Sequence, residues 1–104
     1  MNFRKVLNLP SANTLYRLST LITAADPNAP TAFVELNLRA MRDNGGTVSV
    51  GDASMTSVTD GEELGATEST HESAGYEGVN VDASQIYLIA ETDNQKIHVK
   101  GHTR

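Results

Sequence analysis

Apolar and polar residues alternate along several short stretches of this chain, a pattern typical of strands with one buried face. In Thr31–Met41 the residues Val34, Leu36, Leu38 and Ala40 oppose Phe33, Glu35, Asn37 and Arg39. Asn44-Gly45-Gly46 follows, a turn sequence that tolerates positive φ, and Thr47–Val50 then resumes the alternation. The first of these stretches therefore predicts a half-buried strand, and the whole segment predicts a hairpin.

The C-terminal quarter repeats this arrangement. Ser84–Glu91 carries apolar residues on both faces, as a central strand does. Asp93-Asn94 indicates a turn, and Gln95–Lys100 returns with Ile97 and Val99 on one side, which predicts a second hairpin. Several short strands separated by turn residues predict a mainly β fold, either a small antiparallel β-sandwich or a partly open barrel.

The N-terminal quarter has a mixed pattern. The stretch Asn2–Leu9 is extended but neither of its faces is purely apolar, and Pro10 ends it. Residues 1–13 are therefore interpreted as an N-terminal extended arm or an edge strand. Large apolar residues then recur at spacings of three and four, which favours one short helix near residues 13–24 over a strand. These residues are Leu15, Leu18, Leu21 and Ile22. Residues 14–104 are expected to form a single β-rich domain.

Gly65–Gly78 is rich in Gly, Ser, Thr and Glu and has few apolar residues. This composition predicts a long polar loop at about 65–78, with a strand-like fragment around Thr67–Glu72. Loops of this length are uncommon in compact domains unless they are functional or mobile.

Charge is segregated along the chain. Between Asp43 and Asp93 there are eleven acidic residues and no lysine or arginine, whereas both flanks are basic. Such segregation concerns surfaces and partners more than catalysis. We interpret the acidic stretch Asp60–Glu77 as an outward, solvated loop and the basic flanks as the adhesive surface. The candidate partner-binding residues are Phe3, Arg4, Lys5, Leu7, Arg39 and Arg42.

Composition excludes several classes of function. The absence of cysteine excludes disulfides and thiolate metal sites, and a pI near 5.0 argues against nucleic acid as a partner. No apolar run is long enough for a membrane span or a signal peptide. His98 and His102 share one side of a strand, but Lys100 stands between them and no third ligand has fitting spacing. We therefore expect a non-enzymatic protein without a cofactor or a bound metal.

Three segments resemble small structural proteins of tailed bacteriophages: NGGTVSVGD (Asn44–Asp52), DGEEL (Asp60–Leu64) and VDASQIYLIAETDNQKIHV (Val81–Val99). The likeness covers roughly residues 31–100, with a departure in the polar loop at 65–78. It implies a β-sandwich virion component, most of all a decoration or cement protein that binds the outer capsid surface and stabilises the shell.

The resemblance also implies partners and a location. The partners are the major capsid protein and further copies of the chain, as in a homotrimer. A thin aliphatic core without Trp independently favours self-association. The expected location is the capsid surface of the virion, after synthesis in the host cytoplasm.

Two other functions remain open at this point. One is a head–tail or tail-associated adaptor of the virion, which would have a different copy number and symmetry. The other is a host- or carbohydrate-binding β-sandwich, although Tyr76 alone supplies an aromatic ring in the long loop.

Overall fold

A computed structural model of the chain describes residues 2–73 and 81–103. Over these ranges the fold is mainly β, as the alternating pattern predicts, and it contains one α-helix, Leu18–Ala25 (α1), together with a short 3-10 helix, Ala83–Gln85. The strands of the described ranges are Asn2–Leu9 (β1), Tyr16–Arg17 (β2), Ala32–Phe33 (β3), Glu35–Ala40 (β4), Val48–Gly51 (β5), Glu62–Leu64 (β6), Ser69–Ser73 (β7), Val81–Asp82 (β8), Tyr87–Ala90 (β9) and Gln95–His102 (β10).

The described strands form two four-stranded antiparallel sheets and a two-stranded ribbon. The first sheet has the order β1-β10-β4-β7, the second has the order β2-β9-β5-β6, and β3 pairs with β8 in the ribbon. Neither sheet closes into a barrel, and the fold is a small antiparallel β-sandwich. Asn2–Leu9 pairs with β10 along its whole length as an edge strand, so it is part of the sheet and not a free arm.

The core lies between the two sheets. Each strand contributes alternate residues to it, because successive side chains of a strand point to opposite faces. Phe33 is fully buried, and its ring lies 6.0 Å from that of Phe3. The period-two pattern had placed Phe33 on the outward side of one long strand. That prediction was wrong because the pairing is interrupted at Val34, which separates β3 from β4 and resets the alternation.

Both predicted hairpins are wrong in their pairing, although the strands and turns lie close to where the sequence placed them. β4 belongs to the first sheet and β5 to the second, and likewise β9 and β10 lie in different sheets. Each turn therefore crosses from one sheet to the other. Turn residues indicate where a chain reverses direction, but they do not say whether the next strand pairs beside the last or packs over it.

Two amide side chains hold these crossings together. Gln95 is buried, and its Oε1 accepts hydrogen bonds from the N–H groups of Glu91 and Thr92, at 3.1 and 3.2 Å. Its Nε2 donates to the carbonyl of Gly46 at 2.6 Å, which ties one crossing to the other. Asn44 makes two further bonds of 2.8 Å with the backbone N–H and carbonyl of Lys96.

The helix is shorter than the predicted 13–24 segment. Tyr16–Arg17 pairs with β9, and α1 begins only at Leu18. Asn13 has φ 55°, and its N–H donates to the carbonyl of Ala90, so the chain before residue 16 is held in a non-helical conformation by the neighbouring sheet. Leu18 and Ile22 face the core, as their spacing predicts.

The polar segment at 65–78 is a loop only in part. Ser69–Ser73 is strand β7, which pairs with β4 at the edge of the first sheet, close to the strand-like fragment that the sequence suggested. Its polarity follows from this position, because Thr70 is buried whereas Ser69, His71 and Glu72 are exposed. Residues 74–78 of the predicted loop lie outside the described residues.

Gly101 of β10 is required by the core. A Cβ at this position would lie 2.5 Å from Cδ1 and 2.6 Å from Cε1 of Phe33, well inside van der Waals contact. We expect Gly101→Ala to lower the free energy of unfolding by about 1–3 kcal/mol, the usual cost of overpacking a core.

Denaturant unfolding followed by circular dichroism measures this effect. Gly45→Ala is the matched control, because a Cβ there meets nothing within 4 Å. We expect the control to change the unfolding free energy by less than about 0.5 kcal/mol. Equal stabilities of the two variants would contradict this account of Gly101.

Candidate functional site

The outward face of the first sheet collects cationic side chains from three parts of the sequence. The N-terminal strand β1 contributes Arg4, β4 contributes Arg39, and β10 contributes Lys96 and Lys100. The same alternation places His71, His98 and His102, all three histidines of the chain, on this side. We call this surface the basic face; it comprises Arg4, Arg39, His71, Lys96, His98, Lys100 and His102.

Strand register brings these residues together. Arg4 lies directly beside Lys100, and Lys100 lies beside Asn37, which in turn lies beside His71. One step along the strands, His98 lies beside Arg39, and Arg39 lies beside Ser69. Neighbouring strands are about 4.8 Å apart, and same-side residues of one strand are about 7 Å apart. The cationic groups therefore form a compact grid.

The centre of this grid is an open depression of about 480 Å³. Its lining is polar and mostly basic, and consists of Arg4, Asn37, Arg39, Ser69, His98 and Lys100.

The described residues supply few counter-charges to the basic face. Across residues 2–73 and 81–103, the side chains of Arg4, Arg39 and Lys100 have no ion-pair partner. Glu35, at the start of β4, is the one carboxylate that strand alternation places on this face in the described ranges. The pKa of His98 is lowered by its burial and further by the positive charges of Arg39, Arg4 and Lys100. The cations around His98 thus add to the effect of burial in disfavouring the protonated imidazole.

The other two histidines are held by asparagine side chains. His71 Nδ1 lies 2.9 Å from Asn37 Oδ1, and His102 Nδ1 lies 2.8 Å from Asn2 Oδ1. An amide oxygen only accepts hydrogen bonds, so this arrangement is a hydrogen bond in the tautomer that carries its proton on Nδ1.

The outward side of the second sheet is different, because the segment between β5 and β6 covers it. Met55 of this segment is buried, and Ser49 Oγ of β5 donates to the carbonyl of Val58. Asp60 accepts hydrogen bonds from the backbone N–H and the hydroxyl of Thr56 and from the N–H of Ser57, and these bonds lower its pKa. The covering segment is thus anionic, and the molecule has two unlike sides.

The structure divides the predicted partner-binding residues. Arg4 and Arg39 lie on the basic face and line its 480 Å³ depression. Lys5 is exposed on the other side of β1, and Arg42 is exposed in the turn after β4. The side chains of Phe3 and Leu7 are 6 % and 2 % exposed and belong to the core. Their apolar character therefore serves folding and leaves little surface for a partner.

Sequence reasoning missed part of the basic face. Lys96 and Lys100 belong to the basic flanks, but the sequence singled out no residue of the run Lys96, His98, Lys100 and His102 as a partner-binding residue. Asn37 and Ser69 carried no signal of their own, since they join the depression only through the pairing of β4 with β10 and β7.

The lowered pKa of His98 predicts a pH dependence of stability. Below the ordinary histidine value of 6.5, the unfolded chain takes up a proton at this residue more readily than the folded chain does. The free energy of unfolding should therefore fall as the pH decreases through 6.5 toward the lower pKa of the folded state, and no such loss arises from His98 above that range.

Denaturant unfolding at pH 7.5 and at stepwise lower pH tests this expectation. We expect His98→Gln to show a shallower fall in this window than the unsubstituted chain, and His102→Gln controls for loss of an imidazole on the same face. A His98→Gln variant with an unchanged pH profile would contradict the electrostatic account.

Comparisons of the chain with protein-family models, with curated proteins and with solved structures find no match. In the described part of the chain, no three His, Asp or Glu side chains are grouped as metal ligands. A helix long and apolar enough to cross a membrane is likewise absent from the described residues. The clustered cations of the basic face produce a positive potential that attracts anionic groups.

Proposed function

We propose that this chain is a non-enzymatic structural protein of a tailed-phage virion, a decoration protein that binds the outer capsid surface through its basic face. The observation that carries the proposal is the one-sided charge of the sandwich. Cations from both ends of the sequence meet on one sheet face, where no residue of the ranges 2–73 and 81–103 forms an ion pair with Arg4, Arg39 or Lys100. The segment that covers the other sheet is anionic. The likeness of Asn44–Asp52 and Val81–Val99 to phage structural proteins supports the same function.

Because β1 is an edge strand of the first sheet, the proposed docking element is not a free N-terminal arm. The sequence placed four of the candidate partner-binding residues on the N-terminal segment, but Asn2–Leu9 is paired with β10 and buries Phe3, Leu7 and Leu9 in the core. Removal of these residues would therefore damage the fold itself. The proposed contact surface is the face of the sheet, to which β1 contributes the exposed side chain of Arg4.

The small area of the basic face favours binding to a surface with repeated subunits, where several copies of the chain can bind at once. Four strands spaced about 4.8 Å apart and about 20–25 Å long present a flat area of about 400 Å². A stable interface usually buries about 800 Å² on each partner, so one face alone would bind weakly. A symmetric oligomer, such as a homotrimer, would engage several capsid subunits at once and gain affinity through multivalency.

The copy number and the location of the chain in purified particles test the proposal. A decoration protein is expected in many copies spread over the shell in an image reconstruction, and a wash at high salt is expected to release it, because salt screens surface charges. A single ring of copies at one vertex would instead identify the adaptor function. Absence from purified particles would overturn the virion proposal altogether.

A further inference from the structure

The depression at the centre of the basic face has the composition of a carboxylate-binding site. It combines two guanidinium groups and one ammonium group with the imidazole of His98 and the neutral donors of Asn37 and Ser69. Guanidinium groups bind carboxylates through two parallel hydrogen bonds, and such charge-assisted bonds are stronger than neutral ones. No described residue forms an ion pair with Arg4 or Arg39, which leaves their guanidinium groups for an external anion.

The spacing of the cations suggests the shape of the ligand. His98 and Lys100 are two residues apart on β10 and lie on the same side, which puts them about 7 Å apart. Arg4 flanks Lys100 and Arg39 flanks His98, so the site has two cationic positions separated by this distance. An extended peptide repeats its own side chains at the same interval of about 7 Å on one side.

We propose that this depression binds an acidic protein segment in extended conformation, with two Asp or Glu carboxylates that are two residues apart seated at Arg4–Lys100 and at Arg39–His98. This inference deepens the proposed function and rests on it, because the segment would belong to the capsid surface that the chain decorates. The ligand chemistry is a pair of carboxylates.

A polynucleotide fits this site less well than an acidic segment does. The chain has a net charge of −5, so its overall field opposes a long polyanion, whereas a short acidic segment contacts only the local positive surface. The described residues of the basic face also include no Phe, Tyr or Trp ring, the larger platforms on which unpaired bases stack.

Binding of the acidic segment is expected to strengthen at mildly acidic pH. The groups that face His98 are Arg4 on β1, Lys96 and Lys100 on β10, and Arg39 on β4, with His71 on β7, His102 on β10 and Glu35 on β4 farther along the face. A carboxylate seated beside His98 would offset the surrounding cations and favour its protonated form. Peptide carboxylates stay ionised at about pH 5.5, so the complex gains a contact as the pH falls.

NMR titration of the full chain with synthetic peptides tests the site. The probe is a blocked Ser-Asp-Ser-Asp-Ser peptide, and its controls are the same peptide with Asn at both Asp positions and a version with the two Asp residues adjacent. We expect shifts of the resonances of the depression with the first peptide, tighter binding at pH 5.5 than at 7.5, and at least about tenfold weaker binding to the Arg4→Gln, Arg39→Gln variant. Lys5→Gln with Arg17→Gln removes the same charge away from the face and should retain binding.

Several outcomes would overturn the inference. If the Asn peptide bound as tightly as the Asp peptide, the depression would not be specific for carboxylates. An unaltered affinity of the Arg4→Gln, Arg39→Gln variant for the Asp peptide would lead to the same conclusion. Tighter binding of inorganic phosphate or of an oligothymidylate than of the acidic peptide would identify a different ligand.

The same variants, measured for incorporation into particles, separate the two proposals. Full incorporation of the chain without any binding of acidic peptide would overturn the carboxylate site alone. Binding of the peptide by a chain that is absent from particles would overturn the virion function and support the site.

Discussion

Reversal of two charges on the basic face, Arg4→Glu with Arg39→Glu, is expected to remove most of the chain from the particle. The change eliminates two attractive contacts and places two carboxylates against an acidic partner surface. Each Arg→Glu substitution changes the charge by two units, so the pair changes it by four. At about 0.7 kcal/mol for each unit, binding weakens by about 3 kcal/mol, or roughly a hundredfold in affinity. Occupancy on particles lacking the chain, measured by co-sedimentation with purified variant, gives this ratio directly.

The matched control for this experiment is Lys5→Glu with Arg17→Glu, which changes the net charge of the chain by the same amount. Both residues are exposed, but Lys5 lies on the other side of β1 and Arg17 lies on the second sheet beside Tyr87. We expect the control to retain occupancy, and thermal unfolding of both variants to show that neither has lost its fold. An equal loss of occupancy in the two variants would mean that the net charge of the chain, and not the basic face, directs docking. Full occupancy of both variants would exclude the basic face as the docking surface.

The salt dependence of occupancy supplies a second criterion. At physiological ionic strength the screening length is about 8 Å, and it falls to about 3 Å at 1 M salt. Binding of the unsubstituted chain should therefore weaken steeply as salt is added. Residual binding of the Arg4→Glu, Arg39→Glu variant should depend far less on salt, or should become stronger as salt is added. In the variant, salt screens the repulsion between the introduced carboxylates and the acidic partner surface.

The fold could be predicted from the sequence at the level of its strands but not of their pairing. Period-two alternation identified β4, β9 and β10 because each buries one or both faces of a strand, and this burial is local information. Which strand lies beside which depends on how the two sheets pack, and the turn residues are compatible with either arrangement. The short strands β2 and β3 have too few residues for a periodicity to be visible.

The basic face could be predicted only in fragments for the same reason. Arg4 and Arg39 stood out as members of basic flanks, and the run from Lys96 to His102 showed its period in the sequence. Their convergence requires the order β1-β10-β4, in which strands from both ends of the chain are neighbours. The burial of Phe3 and Leu7 was equally hidden, since an edge strand that is polar on one side resembles an exposed arm.

Substitution of Gln95 by Met is expected to be among the most destabilising single changes in the chain. The two side chains have similar volumes, so the variant loses hydrogen bonds and not packing. The backbone N–H of Thr92 and the carbonyl of Gly46 would then lose their partner where the chain crosses between sheets, whereas the N–H of Glu91 would keep its second bond, to the carbonyl of Thr47. We expect a loss of about 2–3 kcal/mol in the free energy of unfolding, because three part-buried hydrogen bonds are lost and two backbone groups give up the partner that Gln95 provides.

This loss should lower the Tm by roughly 10–20 °C in a domain of this size. Gln85→Met is the matched control, because Gln85 is exposed in the 3-10 helix, and its Tm should change little. Gln95→Glu adds a test of the individual bonds. The introduced carboxylate keeps two acceptor bonds but cannot donate to Gly46 until it is protonated, so its pKa should be raised in the folded state and its stability deficit should shrink as the pH falls toward 5. A deficit that does not respond to pH, or a Gln95→Met variant as stable as Gln85→Met, would show that the two crossings are held together by packing alone.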